Sequence, residues 1–568
     1  MSLRKKWFPF ILLLSLSFVL VLPQIVTRNS IIGADYLFHY NRFYETAMQI
    51  KHGNFQYFLS IYGFQASGRI VNALYGPLMA YIQGALVLLA GTWFRYQVLS
   101  NFLMYWLSGT AMFLLLKKHG RTTSVALPIS IVYMTSYCTL YWVFRQSFTS
   151  WGAAIFPLAL IPLKAFIEEK EIQPIPFALS FALMAQTHLF SSLLVTIIYF
   201  LAFCFVLPQK VPWRFFGQLA KASGLFLLLT ANIWGAFFSI YRGDTIQAPF
   251  VNDQMASYSI NQLGKIWVLY PGFLLLLLFV QAILYMVHFK HYSPFFHFVF
   301  WVSCFFGMLS TSLLPWNELV ADQIPFVSLI QFPFRFSVPF IVLFLYTFAW
   351  QMQTMARTKP TSWLLLAVPL CILSIGQTLH ETSIKLAEWP QLTLADFEAK
   401  HTYLQTDNSQ QIRDSFHQKD LHQLLSLVIK STPDYLPTNP EIPGNRYTIY
   451  EKEILFSPTH FTKIVRKNGE LTVSWVANQT SPVTLPLVAY RQTRLTLNGQ
   501  PIQLDTTMQS AIGAITLTQQ KGQNHLTLHY QKSLLVRISL WISLFTWLFC
   551  LFAWLFNNWL MKRQRVTN

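Results

Sequence analysis

The chain has 568 residues, of which 54% are hydrophobic, 17% aromatic and only 11% charged, against roughly 25% charged residues in an ordinary soluble protein. The formal net charge of +19 comes from 41 Lys and Arg against 22 Asp and Glu; with no long basic tract among the apolar runs, the excess points to membrane topology rather than nucleic acid. With 51 Phe, 25 Tyr and 18 Trp, disorder, collagen and coiled coil are excluded as well, and a polytopic membrane protein remains.

The N-terminus carries Arg4-Lys5-Lys6 before an apolar run from Trp7 to Val26. No small-residue cleavage site follows it, so it reads as an uncleaved first span with its basic end in the cytoplasm. Further runs of crossing length lie near 97–116, 122–144, 148–167, 215–238, 266–287, 294–314, 334–352, 361–379 and 534–558. The stretch 175–207 is long enough for two helices, broken near His188. The run from Tyr75 to Phe94 decides the sidedness of everything after it. Placed as a re-entrant or surface-lying helix, it puts Lys117-Lys118, Lys210 with Arg214, His288 with Lys290, Arg357 with Lys359, and Lys562-Arg563 on the cytoplasmic side. The expectation is about twelve spans with both termini inside. The five cysteines, Cys138, Cys204, Cys304, Cys371 and Cys550, lie singly in apolar runs, which predicts neither a disulfide framework nor a metal site.

This topology divides the chain into a transmembrane domain at 1–379 with a first external loop at 27–95, an extracellular domain at 380–533, and a last span with a basic tail at 534–568. The 389–430 part of the extracellular domain is polar and predicted helical. Beyond it, short alternating runs are separated by turn signals. Asn468-Gly469 and Asn498-Gly499 each separate two such runs and predict type I′ hairpins. Together with 482–490, 512–518 and 524–530 they supply enough strands for a β-sandwich.

The ionisable residues at span ends collect on the outer side. In Gly33-Ala-Asp35-Tyr-Leu-Phe-His39-Tyr-Asn-Arg42, the acid, the imidazole and the guanidinium recur at i, i+4 and i+7, one face of a helix. Tyr36, Tyr40, Phe43 and Tyr44 occupy other faces and suit an amphipathic helix lying on the lipid surface. A plainer reading makes Asp35 the N-cap of this helix. Arg69, Tyr75, Arg145, His188 and Arg335 fall at the same depth, where ionisable groups are costly and mark a cavity or pathway. One carboxylate among histidines and arginines suits transfer from an anionic lipid headgroup. Arginines bind phosphate in bidentate fashion, and a carboxylate beside a hydroxyl acts as general base. The combination describes inverting glycosyl transfer from a polyprenyl-phosphate sugar, with Asp35 and His39 catalytic and Arg42, Arg69, Tyr75, Arg145, His188 and Arg335 binding the donor. No cofactor is expected: no second acid is evident beside Asp35 in the loop, so a metal is not called for.

At these residues the sequence resembles the GT-C superfamily of membrane glycosyltransferases, and within it the bacterial YfhO-type membrane proteins. The matching pieces are Gly33-Ala-Asp35-Tyr-Leu-Phe-His39-Tyr-Asn-Arg42, Tyr75-Gly-Pro77-Leu-Met-Ala-Tyr81, Thr187-His188, Gln331-Phe-Pro-Phe-Arg335-Phe and Asp434-Tyr-Leu-Pro437. Each is short, and their order along nearly the whole chain carries the likeness. The resemblance implies a GT-C-like helical membrane protein of the bacterial cell membrane with a β-rich extracellular domain, a catalytic Asp35, a polyprenyl-phosphate-linked sugar donor made by a separate enzyme, and a cell-envelope glycopolymer such as teichoic acid, or a lipid, as acceptor. The chain departs from the pattern at Arg145-Gln-Ser-Phe148, where relatives often carry an acid. A lipid or polysaccharide flippase and a non-catalytic envelope scaffold are the alternative readings. A flippase is disfavoured by the absence of matching half-repeats and by the one-sided clustering of charge.

Overall fold

The computed structural model describes residues 3–262 and 266–567. In chain order its helical part comprises α1 (Leu3–Thr27), α2 (Tyr36–His52), α3 (Pro77–Ala90), α4 (Trp93–Lys118), α5 (Thr123–Met134), α6 (Tyr137–Arg145), α7 (Thr149–Ala159), α8 (Pro174–Thr187), α9 (Leu189–Val206), α10 (Trp213–Leu229), α11 (Ala231–Tyr241), α12 (Leu274–Val287), α13 (Pro294–Leu309), the short α14 (Trp316–Ala321) and α15 (Val327–Ile330), α16 (Ser337–Thr358) and α17 (Pro360–Glu388).

Seven helical stretches among the described residues are long and apolar enough to cross a membrane, or eight if α10 and α11, bent by 62° at Thr230, form one span. The chain is thus a multi-pass membrane protein. Four of the twelve expected crossings fold as shorter helices: α7, α8, α12 and α13 have 11, 14, 14 and 16 residues. At 1.5 Å per residue, 14 residues reach about 21 Å, short of a hydrocarbon core of ~30 Å. Proline sets several of these limits, since Pro174 and Pro294 open α8 and α13 and Pro157 lies in the last turn of α7. The break expected near His188 falls on that residue, which ends α8 and caps α9.

The first loop differs from its expected place on the lipid surface. Twelve of the seventeen residues of α2 are buried, Tyr36, Tyr40 and Phe43 among them. Tyr40 stacks on Trp93 at 4.2 Å, and Tyr36 meets Phe416 at 6.2 Å. Aromatic rings that would have entered lipid are instead consumed by packing between the spans and the polar domain. Helix α3 lies along α2, where the Thr46 hydroxyl donates to Ala80 O at 2.8 Å.

The polar domain opens with α18 (Leu394–Phe397), β1 (Thr402–Leu404), α19 (Ser409–Ser415), α20 (Leu421–Leu427), β2 (Val428–Lys430) and α21 (Arg446–Tyr450), with β1 and β2 antiparallel. Seven strands follow: β3 (Thr462–Val465), β4 (Leu471–Ala477), β5 (Ser481–Val488), β6 (Thr493–Leu497), β7 (Gln500–Ile502), β8 (Ala514–Gln519) and β9 (Gly522–Tyr530). They form a five-stranded sheet in the order β3-β4-β9-β6-β7 and a β5-β8 pair. Buried residues of both, Trp475, Leu485, Leu517 and Leu526 among them, share one core, with Phe58, Leu59, Ile70 and Leu74 of the first loop built into it. The final helix, α22 (Leu534–Thr567), returns to the apolar part.

Asn498 and Gly499 both have positive φ, 51° and 83°, as a type I′ turn requires, and Leu497 pairs with Gln500. The Asn468-Gly469 hairpin is a correction. Only Gly469 has positive φ, 80°, Gly469 N–H donates to Arg466 O, and Arg466 N–H donates to Glu470 O. This is a three-residue loop ending in a left-handed glycine, which places Lys467 at its tip.

Candidate active site

Asp35 stands at the entrance of α2, with φ −107° and ψ 2°, and its side chain makes no capping bond to the helix. Asp35 therefore occupies the N-cap position, its carbonyl accepting from His39 N–H at 3.1 Å, but its carboxylate is not spent on capping. Its position is fixed by the main chain. Asp35 N–H donates to Arg145 O at 3.3 Å, and the Lys430 ammonium donates to Ala34 O at 3.2 Å. Gly33 permits this approach, since a Cβ there would overlap the backbone of Arg145.

The carboxylate is surrounded by charge without being neutralised by contact. Lys430, Arg335, Arg145 and, with opposite effect, Asp434 act on it electrostatically. Three ion pairs occur among the described residues, and none includes any of these five. Burial pushes the Asp35 carboxyl above the usual carboxylate range, and Lys430, Arg335 and Arg145 pull it back. The cations keep free donors. Arg145 is exposed at the end of α6. Arg335 gives one bond, NH1 to Ile330 O at 3.1 Å, while its guanidinium lies over Phe190 at 5.7 Å and Phe332 at 5.1 Å. A carboxylate beside three cations that still have hydrogens to give can accept a proton while a neighbouring phosphate is held.

Arg42 and Arg69 are placed differently. Both are fully buried. Arg42 donates to Asn72 Oδ1 at 3.0 Å, to His39 Nδ1 at 3.2 Å and to the carbonyl of Tyr75, and lies over the rings of Tyr75 and Phe148 at 4.3 and 4.8 Å. Arg69 donates to the carbonyl and hydroxyl of Thr432 and to the carbonyl of Asp434. These guanidiniums hold the walls of the site: Arg42 ties the turn at Tyr75 to α2, and Arg69 ties the Asp434 segment to the first loop.

Because a guanidinium only donates, His39 Nδ1 must accept, and its neutral ring carries the proton on Nε2. Burial, followed by the Arg42 charge, holds the His39 imidazolium well below its usual range. His188 is similar: Nδ1 accepts from Ser191 N–H at 3.2 Å, leaving Nε2 to donate. Its ring meets Tyr75 at 6.0 Å. Gly76, with φ 55°, brings the Tyr75 turn against the carbonyl of Thr187, where a Cβ would not fit.

Asp35, His39, Tyr75, Arg145, His188 and Arg335 are thus brought to one place. Lys430 and Asp434 join them from almost 400 residues away. Asp434, from the Asp434-Tyr-Leu-Pro437 piece and outside the first loop, is a second acid in electrostatic range of Asp35. Burial raises its carboxyl too, opposed by Arg69, Lys430 and a backbone bond from Phe250. The signal was the isolated Lys and Asp of Lys430-Ser-Thr-Pro-Asp434-Tyr435 in a polar region, but no local spacing connects them to the first loop. Beside Arg145 opens a cavity of about 300 Å³ with walls from Tyr137, Leu140, Tyr141 and Phe144 of α6 and from the end of α17.

No family model matches the chain. No curated protein matches it either. Among solved structures, it is similar to the crystal structure of the Archaeoglobus fulgidus oligosaccharyltransferase tethered with an acceptor peptide containing the NVT sequon via a disulfide bond, at 12% identity and a TM-score of 0.34, over 74% of this chain and 60% of that one.

Proposed function

We propose that the protein is a membrane glycosyltransferase that moves a sugar from a polyprenyl-phosphate donor to a cell-envelope glycopolymer or lipid on the outer face of the membrane. The observation that carries this reading is the Asp35 carboxylate, without an ion pair, in electrostatic range of Arg145, Arg335 and Lys430, which keep free donors. Asp35 takes the proton of the acceptor hydroxyl as that oxygen attacks the anomeric carbon. The bond to the phosphate breaks, and the arginines and Lys430 stabilise the phosphate as it leaves. A single displacement inverts the sugar. The neutral Nε2–H groups of His39 and His188 are hydrogen-bond donors in this scheme rather than bases. The cavity beside Arg145, apolar along α6 and lined at the end of α17 by Glu381, Lys385 and Glu388, offers its apolar wall to the first isoprenoid units of the donor, next to the cations that would hold its phosphate.

The external placement of the site rests on the distribution of basic clusters, and the resemblance of the motif order to GT-C glycosyltransferases is in keeping with the same chemistry. The test is transfer of labelled sugar from lipid-linked donors to envelope polymer in membranes containing the native protein or Asp35→Asn. Retained transfer by the variant would remove Asp35 from the role of base.

A further inference from the structure

A second cavity, of about 790 Å³, lies where α2 and the first loop meet the polar domain. It uses another face of α2, through Asn41 and Tyr44, and its far wall is the β3 strand and the loop after it. Three features distinguish it from a packing gap. The first is charge: Arg466 and Lys467 line it beside Lys463, whose ammonium burial lowers to about 7, and no Asp or Glu does. Neither Arg466 nor Lys467 takes part in an ion pair among the described residues, and Arg466 spends one hydrogen bond, on Thr472 Oγ1 at 2.8 Å.

The second is aromatic surface beside amides. Tyr44, Tyr62 and Phe461 share the lining with Asn41, Asn54 and Gln65, and Tyr62 stacks on His52 at 5.7 Å. Ring faces and amide groups suit a ligand with apolar C–H faces and many hydroxyls.

The third is a costly backbone. Phe64, Gln65 and Ala66 have consecutive positive φ values of 52°, 57° and 49°, a left-handed turn without glycine, and such strain persists only where surroundings enforce it. Both sides of the cavity do so. Glu45 Oε2 accepts from the N–H of Tyr62 and Gly63 at 2.6 and 2.8 Å, and Asn41 Oδ1 from that of Phe64 at 2.6 Å. From the polar domain, Lys463 Nζ donates to Gln65 O at 2.7 Å and Pro486 O at 2.8 Å. The same turn reaches the Asp35 site, since Phe64 packs on Phe38, and Phe38 on His39.

We infer that this cleft binds an acidic saccharide chain, its anionic groups on Arg466 and Lys467 and its sugar faces on Tyr44, Tyr62 and Phe461. Its use as the acceptor's seat rests on the transfer reading; binding does not, and is measured without donor. Purified full-length protein in nanodiscs is titrated with hexamers of galacturonate, of phosphodiester-linked glucose and, as neutral control, of maltose-type glucan. The expected result is binding of at least one anionic hexamer at least tenfold tighter than the glucan, with at least a tenfold loss in Arg466→Gln/Lys467→Gln. Preference between the two anions identifies carboxylate or phosphodiester as the source of charge. Lys467→Gln alone, at the exposed loop tip, is expected to show a smaller loss and guards against misfolding of the double variant. Asp35→Asn is expected to bind normally, which separates this cleft from the proposed base. Equal affinity for all three hexamers, no binding of either anion, or unchanged affinity in both charge variants would overturn the inference.

Discussion

Gly33 is the most economical place to perturb the site without touching a reacting group. The backbone of Arg145 occupies the space where a Cβ would stand, far inside the 3.4 Å at which ordinary contact begins. In Gly33→Ala the segment carrying Asp35 must therefore withdraw from α6 by about 1 Å, stretching the bond from Asp35 N–H to Arg145 O. Misplacing a catalytic group by ~1 Å costs on the order of 10²-fold in rate. Overpacking of this kind also costs about 1–3 kcal/mol of stability. The assay is initial rate of sugar transfer alongside a thermal unfolding midpoint, with Gly217→Ala as control. Gly217 is exposed on α10 and has nothing within 4 Å of its would-be Cβ, so that change is expected to be neutral or stabilising by up to ~1 kcal/mol. A Gly33→Ala protein with native turnover would show that the approach of Asp35 to Arg145 is irrelevant to function.

Arg335→Ala removes a cation with one internal hydrogen bond, so donor affinity is expected to fall by roughly 10- to 100-fold, the worth of a charged hydrogen bond, with little change in melting temperature; unchanged donor KM would reject its role. Arg69→Ala is expected to act through structure, lowering the melting temperature by several degrees because the Thr432 and Asp434 carbonyls lose their buried donor, and a fully stable variant would contradict this. The pH profile supplies another test. In the proposed mechanism transfer requires ionised Asp35, whose carboxyl burial holds above the usual range against the pull of Lys430. The acidic limb of kcat/KM is therefore expected above that range, and Lys430→Met, by removing a cation that favours the ionised form, is expected to move it to still higher pH. A limb that stays in place or moves down would be incompatible with the assigned geometry.

Local patterns were readable where one interaction decides the outcome. His188 breaks its apolar stretch, Asn498-Gly499 makes its turn, and the period of Asp35, His39 and Arg42 follows from helix geometry. The hairpin at Asn468-Gly469 was legible as a hairpin but not in its turn class, because the same dipeptide fits a longer loop when the flanking register asks for it. The burial of α2 was hidden: its tyrosines are equally suited to lipid or to Trp93 and Phe416, and only the fold of the distant polar domain selects between them. The same holds for the division of labour among the arginines. Arg42 and Arg335 look alike in sequence, yet every nitrogen of one is engaged, by Asn72, His39 and Tyr75, while the other gives a single bond. Lys430 and Asp434 enter the site through the packing of two regions that no sequence period links.

The central claim is that a carboxylate unneeded for folding is needed for chemistry, and Asp35→Asn tests it most directly. The Asp35 side chain makes no hydrogen bond to cap α2, and burial disfavours its charged form, so above its folded pKa the ionised group costs stability and the amide is expected to melt at or above the native temperature. Transfer from lipid-linked donors is expected to fall by about 10²–10⁴-fold, the usual worth of a general base. Native transfer rates in a normally folded Asp35→Asn protein, measured side by side with the parent, would contradict the claim.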